Sequence, residues 1–251
     1  MTYDILAVLF LVALLAGFID TLAGGGGLIA LPALLMAGVP PLVALGTNKL
    51  QGSVGTATAS WMMVKNGRVE WRDVRSLMAL AFCGSAGGSV AVQFVDVSVL
   101  SLLIPIVLTS TALYFLLMPQ VRERGKVLKA RVGVFRGFAV PGIGWYDGMF
   151  GPGTGSFFSL AGVSLRGQGL VEATAVAKTL NFATNIASLC VFLFAGKVAW
   201  LAGGTMILGQ LLGAWLGSHC LLRINPQVLR GLVVVMCLAM LAKYGGSQGW
   251  W

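Results

Sequence analysis

Continuous apolar runs long enough to cross a bilayer recur along almost the whole chain. They lie at 3–22, 43–64, 74–93, 97–118, 132–150, 171–195, 200–221 and 227–243. A helix crosses the hydrocarbon core in roughly 17–25 residues, so each run is a candidate span. Backbone in lipid must satisfy its own hydrogen bonds, which leaves helices and closed barrels. Barrel strands alternate apolar and polar residues, and these runs do not. The expected fold is therefore all-α, a polytopic integral membrane protein. Composition agrees: 57% of the 251 residues are hydrophobic and only 10% charged, against about 25% charged in soluble domains. Residues 3–22 have no basic region before them and no small-residue cleavage site after them, so they read as a retained first helix.

A formal net charge of +9 would suit a nucleic-acid partner, but its distribution points to the membrane. Lys65, Arg68, Arg72 and Arg75 share one loop. Arg122, Arg124, Lys126, Lys129, Arg131 and Arg136 share another. Basic loops stay on the cytoplasmic side, and two spans separate these two, so one orientation satisfies both. The partners implied are lipid and not nucleic acid. Cys83, Cys190, Cys220 and Cys237 sit in apolar runs without CxxC spacing. They read as buried small hydrophobes, neither a metal site nor a disulfide framework. No cofactor is implied.

The chain repeats itself. A shift of 129 residues places Lys49 on Lys178, Trp71 on Trp200, Gly84 on Gly213 and Gly88 on Gly217; a shift of 127 places Asp20 on Asp147. The halves are residues 1–118 and 132–251, with 119–131 as a basic linker. Each is expected to hold about four transmembrane helices plus a short helix after a glycine break, the runs 28–37 and 157–165. Internal repeats with interrupted helices mark secondary transporters and locate their sites. The halves can be parallel or inverted. The charge count favours inverted, because Arg166, Arg223 and Arg230 then fall inside, whereas the parallel arrangement places only Lys197 and Lys243 there. The two GxxxG pairs, Gly84/Gly88 and Gly213/Gly217, read as internal helix packing.

The polar residues inside these runs carry the chemistry. Lys49 and Lys178 lie about two turns inside their helices, on faces shared with Asn48 and Gln51 in one copy and Asn181 and Asn185 in the other. An intramembrane charge is expensive and marks function by default. The glycine runs Gly24, Gly25, Gly26, Gly27 and Gly151, Gly153, Gly155, with Thr154 and Ser156, precede short helices. Free N–H groups at such helix starts favour an anion. Asp20 and Asp147, lodged among apolar residues, are candidates for proton coupling, or else cap a helix start or balance a lysine. A lysine that faces only substrate is replaceable by methionine without loss of fold. His219, the single histidine, reads as a helix-end residue. With no HExxH, CxxC, GxSxG or P-loop pattern, neither an enzyme nor an ATP-driven pump is indicated.

At these residues the chain resembles the TauE/SafE sulfite exporter family (TSUP) of inner-membrane permeases. The matching stretches are Asp20–Gly27 with Leu31-Pro32-Ala33, Ala44–Gln51, Tyr146-Asp147-Gly148 with Gly151-Pro152, and Lys178–Asn181, together with Asn185, the Gly196-Lys197-Val198 turn and Leu116–Pro119. The whole chain is similar to the family's YfcA-type bacterial branch. The resemblance implies a multi-pass permease of the cell inner membrane for small sulfur-containing anions such as sulfite or organosulfonates. Coupling to protons is the expected drive, and an anion channel lined by the same lysines is the alternative.

Overall fold

The structure, a computed structural model, describes residues 1–117 and 129–220. Among them every regular element is helical. In the first half α1 (Tyr3–Ala23) stops at Gly24, whose φ of 78° is left-handed, and a short α2 (Gly27–Met36) follows. Then come α3 (Pro41–Lys65), α4 (Trp71–Val92) and α5 (Val97–Leu117). Pro41 opens α3 where its missing N–H is not needed. In the second half α6 (Lys129–Val134), a π-helical turn at Phe135–Ala139 and α7 (Val140–Met149) follow without a break. The π turn stands just before Pro141, which cannot donate to the helical ladder. After a second glycine break come α8 (Thr154–Arg166), α9 (Leu170–Phe194) and α10 (Trp200–Cys220). The two short apolar runs are α2 and α8. Helices α3 and α9 both have 25 residues and begin 129 positions apart, as do α4 and α10.

The burial pattern is that of a protein in lipid. Trp61, Phe94, Phe194, Trp200 and Leu208 point outward, while Asn48, Lys49, Gln51, Asp147, Lys178, Asn181 and Gln210 are buried. Water would penalise that arrangement; hydrocarbon favours it. Tyr3–Leu22, Trp71–Val92 and Leu170–Phe194 are long and apolar enough to span.

Contacts fix the helix directions. Phe10 of α1 abuts Gly209 of α10 and Phe18 abuts Gly217, so α1 and α10 run the same way. Thr47 and Leu50 meet Gly203 and Gly55 meets Gln210, so α3 is parallel to α10 as well. Pro141 on Gly84 and Trp145 on Gly88 make α4 parallel to α7. In contrast α3 and α9 are antiparallel: Gly46 lies by Phe192, and Ser60 donates to the Lys178 carbonyl at 2.9 Å. Since α1 and α3 share a direction and Gly17 is level with Gln210 and hence with Gly55, the chain turns back before α3 begins. α2 is the returning limb, about 15 Å long. The short turn at 66–70 reverses α4 relative to α3, so α7 and α9 also share a direction and α8 is a second returning limb. Lys65, Arg68, Arg72, Arg75, Lys129, Arg131, Arg136 and Arg166 fall at one face of the bundle, and Lys197 at the other.

Both GxxxG pairs serve intramolecular packing: Gly84 and Gly88 against α7, Gly213 and Gly217 against α1. The cysteines need correction. Cys83 and Cys190 are exposed and Cys220 is half-buried, not packed in the core. The outside of a membrane protein is itself apolar, so a small hydrophobe gains little by turning inward. The run 227–243, Cys237, Arg223, Arg230, Lys243 and most of the linker lie outside the described residues.

Candidate functional site

The tips of the two returning hairpins meet in the protein interior. Gly24 and Gly155 pack backbone to backbone; a Cβ on Gly155 would stand 2.7 Å from Gly24 Cα. The glycine breaks are thus needed for close approach as well as for turning. Gly24, Gly151 and Gly153 all have positive φ, where other L-residues are strained.

Around this contact the halves exchange charges. Lys49 of α3 pairs with Asp147 of α7, Nζ to Oδ2 2.8 Å, and donates to the Asp147 main-chain carbonyl. Lys178 of α9 pairs with Asp20 of α1 at 3.4 Å and donates to the Asp20 carbonyl. All four side chains are buried. Each acid also holds the start of its returning limb: Gly26 N–H donates to Asp20 Oδ1 at 3.2 Å, and the Thr154 hydroxyl donates to Asp147 Oδ1 at 2.7 Å. Gly151 lets Lys49 approach, since a Cβ there would lie 2.8 Å from Nζ. In this conformation the lysines and the α2 helix start are answered by the protein's own carboxylates, the alternative to a free substrate site that the sequence left open.

A small polar cavity of about 20 Å³ lies beside the Lys49–Asp147 pair. Of the residues expected to bind substrate, Gly24, Gly26, Gly27, Asn48, Lys49, Gln51, Gly151, Asn181 and Asn185 line it, and so do Asp20 and Asp147. Gly25, Gly153, Thr154, Gly155, Ser156 and Lys178 are not in its wall. Lys178 is connected to it through Asp20. Gly52 and Thr56 complete the α3 side, with Asn185 Nδ2 3.4 Å from the Thr56 hydroxyl. Gln210 of α10 also lines it and was missed from sequence. Its signal was there: a lone amide within the apolar run 200–221.

Helices with polar residues inward and apolar residues outward, closed around a charged central cavity, define a polytopic membrane transporter. The sequence profile of the family described as "Sulfite exporter TauE/SafE" matches residues 9–244. The chain belongs to that family. It is 42% identical over 247 residues to a Haemophilus influenzae protein named "Probable membrane transporter protein", covering 98% of this chain and 97% of that one. It is 43% identical over 239 residues to the Escherichia coli K12 "Probable membrane transporter protein YfcA", covering 95% and 89%. A Sinorhizobium protein named "Probable membrane transporter protein ORF9" is 42% identical over 240 residues, covering 96% and 92%. No solved structure matches the chain. The chain is thus a multi-pass membrane transporter, not an enzyme.

Proposed function

We propose that the chain is a proton-coupled secondary transporter of small sulfur-containing oxyanions, built from two inverted halves. The observation that carries this reading is the Lys49–Asp147 pair in the wall of a buried polar cavity. A buried cation paired with a carboxylate is a site where a substrate anion can exchange with the protein's own. An anion entering beside Lys49 takes its Nζ–H donors, and Asp147, no longer balanced, takes up a proton. Release of the anion reverses both steps. Binding and protonation are thereby linked, because an unpaired charge in this surrounding is strongly unfavourable.

The antiparallel α3 and α9 and the two returning hairpins support an inverted repeat, with the site at the contact between halves, where such transporters place it. The accumulation of basic residues on one face supports assigning that face to the cytoplasm. Lys178, which is not in the cavity wall, pairs with Asp20, which is, and Asp20 holds the start of α2.

The test is anion uptake into proteoliposomes with and without an imposed pH gradient. Saturable uptake of sulfite or a sulfonate that responds to the gradient is expected. In Asp147→Asn, counterflow of anion should persist while the response to the gradient disappears. An unchanged response in Asp147→Asn would remove Asp147 from the coupling step, and unsaturable current would indicate a channel.

A further inference from the structure

Arg166 closes α8 at the basic face of the bundle, just before the left-handed Gly167. Its half-buried guanidinium lies over the ring of the buried Phe135, 5.5 Å from the centroid. One nitrogen, Nη1, is buried without a hydrogen-bond partner. No carboxylate answers the charge either. Among the described residues the ion pairs are the two in the interior, and the neighbouring Glu172 accepts from Gln168 Nε2 at 2.7 Å. The π turn that supplies Phe135 packs on α8 and adds the exposed Arg136; Arg131, also exposed, stands about one turn before Phe135. A partly desolvated cation beside two more, with no internal counter-ion, is costly unless an anion comes from outside.

Depth and surroundings select the anion. From Asp147 back to Arg136 is about 16 Å of helix, and from Thr154 to Arg166 about 18 Å. Asp147 and Thr154 lie at the central contact of the hairpins. With that contact at the bilayer centre, both arginines stand where hydrocarbon gives way to headgroups, about 15 Å out. Nearer the centre, the same span turns a flat apolar surface outward. Phe138 is 78% exposed, and a Cβ on Gly137 or Gly142 would meet nothing within 4 Å. A free oxyanion gains nothing from that surface, whereas an acyl chain packs on it. We propose that this face binds one anionic phospholipid, with its phosphate at Arg166 and Arg136 and an acyl chain along residues 137–142. Basic pockets beside membrane-spanning helices hold anionic headgroups by the same pairing. The proposal is independent of what the central cavity carries.

The experiment is native mass spectrometry on the full chain in detergent, titrated with dioleoyl phosphatidylglycerol and, separately, with dioleoyl phosphatidylcholine. One phosphatidylglycerol per chain should be retained, about 10-fold tighter than phosphatidylcholine. Arg166→Gln and Arg136→Gln should each cut that preference about five-fold, the contribution of one cation near an anionic lipid. Arg72→Gln removes the same charge from the other basic loop and should leave the preference within about two-fold. Should Arg166→Gln fail to fold, the exposed Arg136 still decides. Equal losses in Arg72→Gln and Arg136→Gln overturn the site and leave only general attraction to a basic face. A folded Arg166→Gln with the parent's preference, or a parent with no preference, overturns it too. Displacement of the lipid by millimolar inorganic phosphate would assign the arginines to a free anion and overturn the lipid.

Discussion

Replacing Lys49 by Met removes one member of a buried pair and leaves Asp147 with a single remaining charge-neutral partner, the Thr154 hydroxyl. Breaking a buried ion pair from one side costs about 3–5 kcal/mol, because a desolvated charge is left without its counterpart, whereas replacing both members is often near neutral. For a chain of this length 1 kcal/mol moves the midpoint of thermal unfolding by about 2–4 °C. Lys49→Met should therefore lower it by about 6–20 °C, and Lys49→Met with Asp147→Asn should recover most of the loss. The same cycle on Lys178 and Asp20 should behave alike in stability. The assay is intrinsic tryptophan fluorescence on heating in detergent, with anion affinity measured in parallel. If Lys49→Met unfolds within about 2 °C of the parent, or if the double variant is no more stable than the single one, the pair is not what holds α3 to α7. The sequence left open whether each lysine faces substrate or pairs with an aspartate; the structure pairs Lys49 with Asp147 and Lys178 with Asp20. The lysine's partner lies in the other half of the chain.

Gly155→Val should destabilise by about 1–3 kcal/mol through overpacking against Gly24, seen as earlier thermal unfolding; a Gly155→Val protein as stable as the parent would refute the tight contact of the hairpin tips. In intact cells, a cysteine placed at Arg68 should be shielded from a membrane-impermeant thiol reagent and one placed at Lys197 should react. The reverse pattern would invert the orientation. Cys83 and Cys190, exposed toward lipid, should stay unlabelled by the same reagent, and their rapid labelling would contradict the placement of α4 and α9 in the bilayer.

Hydropathy alone settled the class of fold, because lipid leaves helices as the only continuous apolar solution. Helices α3 and α9 begin 129 residues apart, as do α4 and α10, the same offset that places Lys49 on Lys178 and Trp71 on Trp200 in the sequence. The glycine runs told where the helices break. Most of the cavity wall was legible too, since a polar residue inside an apolar run is conspicuous; Gln210 was overlooked only because it stood alone. What the order of residues could not supply was which charge answers which. Asp20 and Lys49 are close in the chain and both buried, yet each pairs across the halves, Asp20 with Lys178 and Lys49 with Asp147. That choice depends on the parallel packing of α1 with α10 and of α4 with α7, a relation between segments well over a hundred or about sixty residues apart. Local spacing places a charge on a helix face, but the neutralising partner is chosen by the neighbour that the fold brings to that face.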